Sequence, residues 1–152
     1  MRGAVTATGR QVKELDAYDA VELGCVSAVE RLQRGGRLLK KHLCQAAARS
    51  GNLEKLKQFR RDRFPWDART CLYATMGGQF EVLRWARAND APWNEFTCVM
   101  AAQGGHLNVL RWARANRASW DTFKLISVAQ ANSRLICVAK QGEILRWLRA
   151  SN

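Results

Sequence analysis

"GGHLNVLRWARAN" (residues 104–116) and "GGQFEVLRWARAN" (residues 77–89) agree at 10 of 13 positions and lie 27 residues apart. A catalytic motif is needed once in a chain. A segment spelled twice points to a unit that stacks on copies of itself, so the period is the first property to establish. Gly24, Gly51, Gly78 and Gly105 fall at the same interval. So do Trp66, Trp93 and Trp120, and Cys44, Cys71 and Cys98, with Leu125 in the next cysteine slot. Leu56, Leu83 and Leu110 follow it too, preceded by Val29. Asp67, Asn94 and Asp121 each stand directly after a phased tryptophan. The phase reaches back to "AVELGCVSAVERL" (20–32) and breaks at Asn132, where a glycine is due. The next recognisable piece, "GEILRWLRAS" (142–151), is displaced by 8 residues from the Trp112 register, and an insertion around "SRLICVAK" (133–140) accounts for the shift.

One unit can be read in residues 67–93. Asp67 is placed to cap a helix by accepting a first-turn backbone N–H, and Asn94 and Asp121 repeat the device. "ARTCLYATM" (68–76) then reads as a first helix, with small Cys71, Ala74 and Thr75 allowing close approach to neighbours. Gly77 and Gly78 end it, because glycine reaches the left-handed conformation without a side-chain clash. "QFEVLRWARA" (79–88) is a second helix. Its apolar stripe runs through Phe80, Leu83 and Ala86, with Val82 and Trp85 beside them. "NDAPW" (89–93) turns the chain, and Pro92 stops helical continuation. Such a unit is too small to bury its own stripe and must stack.

"AAQGGHLNVLRWARANRA" (101–118) resembles the ankyrin repeat, particularly its central Ala-Ala, Gly-His-Leu and Val-Leu columns. "ATMGGQFEVLRWARANDA" (74–91) matches as well, and "AARSGNLEKLKQF" (47–59) more loosely, so the resemblance spans roughly 20–150. Ankyrin units run about 33 residues, whereas these run 27. The missing residues fall where that family carries its β-turn finger. "TCLY" (70–73) and "TCVM" (97–100) replace its Thr-Pro-Leu-His signature. The resemblance implies an all-α, ankyrin-like solenoid of about five helix–turn–helix units with shortened loops. A tail at 1–14 precedes a single domain at 15–150, with units near 15–39, 40–66, 67–93, 94–120 and 121–150. It also implies a non-catalytic protein–protein interaction scaffold.

Charge narrows the partner. Lys and Arg number 25 against 13 Asp and Glu, a formal net charge of +12. That balance favours anionic partners or serves solubility. The expected partner is another protein with an acidic surface, bound by a monomer; nucleic acid is the alternative. The first-helix surface nominates Arg69, Tyr73, Phe96, Met100 and Gln103 as protein contacts. A basic column on the second helices, Lys57/Arg60, Arg84/Arg87 and Arg111/Arg114, restarts at Arg146/Arg149. It reads either as an anion-binding ridge or as a solvated convex face.

Other chemistries find little support. The five cysteines (Cys25, Cys44, Cys71, Cys98 and Cys137) form no CxxC pair, and His42 and His106 are the only histidines. No zinc site, cofactor motif or catalytic pair is therefore expected. Equivalent cysteines in stacked units stand about 8–10 Å apart, too far to share a metal or a disulfide. They read as small packing residues. The phased tryptophans read as plugs between units rather than as platforms for bases. His106 reads as stabilising its turn through a hydrogen bond. With no apolar run of membrane-spanning length and no secretory h-region, an intracellular location, cytoplasmic or nuclear, is expected.

Overall fold

The structure is a computed structural model and describes residues 17–131 and 138–151. The expected tail at 1–14 and residues 133–137 of the expected insertion lie outside the described residues. Among the described residues the chain is all-helical and contains no strand. Ten helices follow in order: α1 (Ala17–Glu22), α2 (Val26–Arg34), α3 (Lys40–Ser50), α4 (Leu53–Arg61), α5 (Ala68–Met76), α6 (Phe80–Ala88), α7 (Glu95–Gln103), α8 (Leu107–Ala115), α9 (Thr122–Ala131) and α10 (Val138–Ala150). The odd-numbered helices pack on one another in sequence, α1 on α3, α3 on α5, α5 on α7 and α7 on α9. Each also packs on the helix that follows it.

Local chemistry explains the boundaries. Asp67 accepts the Arg69 backbone N–H at 3.0 Å, Asn94 that of Phe96 at 3.1 Å, and Asp121 that of Phe123 at 2.9 Å. Helices α5, α7 and α9 therefore begin under side-chain caps, as the sequence predicts. At the far end of α5, Gly78 N–H bonds to the Thr75 carbonyl and Gln79 N–H to that of Ala74. This is the paired closure of a helix by a left-handed residue, and Gly78 has φ +68°. The longer bond recurs from Cys25 to Ala20, Asn52 to Ala47 and His106 to Ala101.

The loops after the even-numbered helices close in the same way. Arg37 N–H bonds to Leu32, Phe64 to Phe59, Ala91 to Ala86 and Ala118 to Ala113, all at 2.9 Å. The left-handed position in these loops is Gly36, Arg63, Asp90 and Arg117 in turn. The 27-residue interval of the sequence thus reappears in backbone geometry at both ends of the helix pairs.

The core follows the expected columns. Val29, Leu56, Leu83 and Leu110 are fully buried, and so are Cys44, Cys71, Ala74, Ala101 and Ala129. Ala, Cys and Thr make up most of the buried residues of α3, α5 and α7, the helices that pack on one another. Burial pushes the thiols of Cys44 and Cys98 up to about 11 and that of Cys71 up to about 12. They stay protonated and unreactive, as expected for packing residues.

Each loop tryptophan meets a helical tryptophan edge to face. Trp66 meets Trp85 at 5.9 Å and Trp93 meets Trp112 at 5.6 Å. Trp120 meets Trp147 at 6.2 Å. The last pair is separated by eight more residues of sequence than the first two. Trp147 of the displaced "GEILRWLRAS" segment therefore makes the contact that Trp85 and Trp112 make in the preceding pairs.

Candidate interaction surface

The N-caps decide which side chains stand at the entrance of α5, α7 and α9. Arg69, Phe96 and Phe123 occupy the same place, two residues after Asp67, Asn94 and Asp121. All three are exposed, with Phe96 at 57% and Phe123 at 76%. Positions four and seven residues further on share their helix face. These are Tyr73 and Met76 on α5, Met100 and Gln103 on α7, and Ser127 and Gln130 on α9. The five residues nominated from the sequence thus lie in one stripe system. Arg69 and Phe96 are exposed, while Tyr73, Met100 and Gln103 are half-buried.

Ion pairs cross this face from one helix to the next. Lys124 Nζ lies 2.7 Å from Glu95 Oε1 and 5.5 Å from the centre of the Phe96 ring. Lys41 lies 3.8 Å from Asp67, whose carboxylate also accepts Gln45 Nε2 at 3.1 Å. The cap residue of α5 therefore also binds α3. Two exposed phenyl rings give this surface apolar anchors, and exposed Arg69, which has no ion pair among the described residues, adds a positive charge to it. Burial raises the Tyr73 hydroxyl above its ordinary range, with Glu22 adding to the effect. The phenol stays neutral and available as a hydrogen-bond donor.

The basic column divides into two sets. Arg60, Arg87 and Arg114 turn back onto the loop tryptophans, 4.1, 4.8 and 5.7 Å from the rings of Trp66, Trp93 and Trp120. Arg60 also donates to the Phe64 carbonyl, Arg87 to that of Ala91 at 2.5 Å, and Arg114 to that of Ser151 at 2.7 Å. These guanidiniums hold the polypeptide in place. Arg60 and Arg87 still line the surface beside Lys57, Arg61 and Arg84. The other set faces outward, but Lys57 pairs with Glu54 at 2.9 Å and Arg84 with Glu81 at 3.4 Å. Arg111 has Asn108 where those two have glutamate. It carries no carboxylate partner among the described residues.

His106 departs from expectation. Its ring makes no capping hydrogen bond. It lies over the preceding turn instead, so that a Cβ added to Gly78 would stand 3.1 Å from its Cε1. Burial, then Lys140 and Arg49, lowers its pKa from the ordinary histidine value. The neutral ring fills space between turns.

The sequence reading missed Phe123, although it lies in phase with Phe96 and Arg69. It also missed the loop-holding role of Arg60, Arg87 and Arg114. A constant six-residue spacing to the next loop tryptophan signals that role. Among the described residues no three His, Cys, Asp or Glu side chains converge to hold a metal ion. No described helix is long and apolar enough to cross a membrane. Compared with known proteins, the chain matches no family model, no curated protein and no solved structure.

Proposed function

We propose that the chain is a non-catalytic protein–protein interaction scaffold, an ankyrin-like solenoid of helix–turn–helix units. Its odd-numbered helices would present the binding face. The observation that carries this reading is the pair of exposed phenyl rings, Phe96 and Phe123, at equivalent places on packed helices. Exposed aromatic anchors with half-buried Met100 and Tyr73 beside them fit a partner segment bearing apolar side chains. The net charge of +12 steers acidic segments toward the surface, and Arg69 offers them a guanidinium in the same column. The repeating closures of both turn types support the stacked-unit reading. Buried, protonated thiols suit a reducing compartment such as the cytoplasm or nucleus.

Selection from a displayed library of random peptides tests this proposal. Enriched peptides should combine aromatic or branched apolar residues with Asp or Glu. Phe96→Ala with Phe123→Ala should weaken their binding by about tenfold or more, since truncating aromatic anchors typically costs ~2 kcal/mol or more. Selected peptides that bind the double variant as well as the parent chain would place the interface elsewhere.

A further inference from the structure

Grooves lined mainly by residues of the even-numbered helices run along the surface. The groove between α4 and α6 has a volume of about 440 Å³ and is lined by Lys57, Arg60, Arg61 and Trp85. The next, between α6 and α8, measures about 560 Å³ and holds Arg84, Arg87, Trp85 and Trp112. The third, between α8 and α10, measures about 600 Å³ and holds Arg111, Arg146 and Trp147. Seven cationic side chains line these three grooves against two carboxylates, Glu81 and Glu143; Arg60 and Arg87 also hold the loop tryptophans, and Lys57 and Arg84 also pair with glutamates. Each groove contains at least one half-buried indole. The edge-to-face contacts with Trp66, Trp93 and Trp120 fix these indoles in orientation.

We infer that this face binds single-stranded nucleic acid, with bases entering the tryptophan-lined grooves and phosphates meeting the cations at their rims. The charge is complementary to a polyanion. A regular series of aromatic and cationic sites matches a polymer whose every unit carries a planar ring and a negative charge. A duplex keeps its bases stacked inside and would offer only its backbone. In the α8/α10 groove both cations, Arg111 and Arg146, are without an ion pair among the described residues, unlike Lys57 and Arg84, so this groove offers the clearest test. This surface is distinct from the Phe96/Phe123 face, so either can fail without the other.

The test uses the full chain and a fluorescein-labelled oligothymidine of roughly 16 nucleotides, read by anisotropy from about 50 to 200 mM salt. The parent chain should bind at low salt and weaken as salt rises. Arg111→Glu with Arg146→Glu should lower low-salt affinity about tenfold or more and flatten the log–log salt slope by about 1.4, two contacts at ~0.7 each. Arg111→Gln with Arg146→Gln, a gentler change at exposed positions, should move both readouts the same way. Thermal unfolding should show both variants folded, and Phe96→Ala with Phe123→Ala should leave oligothymidine binding unchanged. The inference is overturned if the parent chain fails to bind at low salt, or if both arginine variants bind as the parent does. A duplex of equal length bound as tightly, or an acidic peptide of matched charge bound as tightly, overturns it as well.

Discussion

Gly77→Ala should destabilise the protein by roughly 2–3 kcal/mol, whereas Gly104→Ala, one repeat later, should cost less than about 1 kcal/mol. Neither glycine needs a left-handed backbone. Gly77 has φ −81° and Gly104 φ −85°, values alanine adopts freely. In isolation both changes would favour folding by reducing the freedom of the unfolded chain. The neighbours set them apart. A Cβ at Gly77 would collide with the backbone carbonyl oxygen of Arg49, in the last turn of α3. A backbone atom held at the end of α3 cannot step aside without shifting that helix. A Cβ at Gly104 would meet His106 Nε2 at 2.5 Å and the Met100 carbonyl at 3.3 Å. The imidazole is the end of a side chain and can turn away. Urea unfolding of the two variants compares them directly. Equal effects would mean that the turns of successive pairs do not touch as described.

Leu83→Ala should cost about 2–5 kcal/mol, while Arg84→Ala, its immediate neighbour, should change stability by no more than about 0.5 kcal/mol. Leu83 is fully buried in the core. Truncating it removes apolar contact and leaves a cavity that neighbouring helices close only in part. Arg84 is exposed, and its ion pair with Glu81 is a surface pair at 3.4 Å. For a domain of this size the leucine variant should lose on the order of 5–15 °C of melting temperature. Comparable losses from the two variants would contradict the orientation of α6.

The contrast between these neighbours is legible in the sequence. The 27-residue phase identified Leu56, Leu83 and Leu110 as one column, and a 3.6-residue helix then assigned Leu83 inward and Arg84 outward. The caps at Asp67, Asn94 and Asp121 were legible because a cap acts within one turn of helix. Packing cysteines were legible because they share a phase with a leucine, Leu125. Interactions that bridge pairs were harder. His106 meets Gly78, 28 residues earlier, so its turn alone suggested a local bond that is absent. Arg60 and Lys57 look equivalent on a helical projection. Only the path of the loop brings the Trp66 ring under the Arg60 guanidinium, while Lys57 pairs with Glu54. On the proposed binding face, Phe96 and Met100 were found from the pattern. Phe123 follows from the same phase, yet it sits beside the break at Asn132, where the repeat is least regular.

Removing residues 94–120 tests the stacked-unit account most directly. The cut joins Trp93 to Asp121 and restores the Trp-Asp junction present at Trp66–Asp67. It deletes α7 and α8 whole and brings α9 to the position of α7. If the units stack as equivalents, the shortened chain keeps its helical circular-dichroism signal per residue. It should also unfold in one cooperative step, at a lower temperature because fewer interfaces hold it together. A shortened chain that loses most of that signal, or melts without a transition, would show that the pairs form one irreplaceable core and would contradict the account.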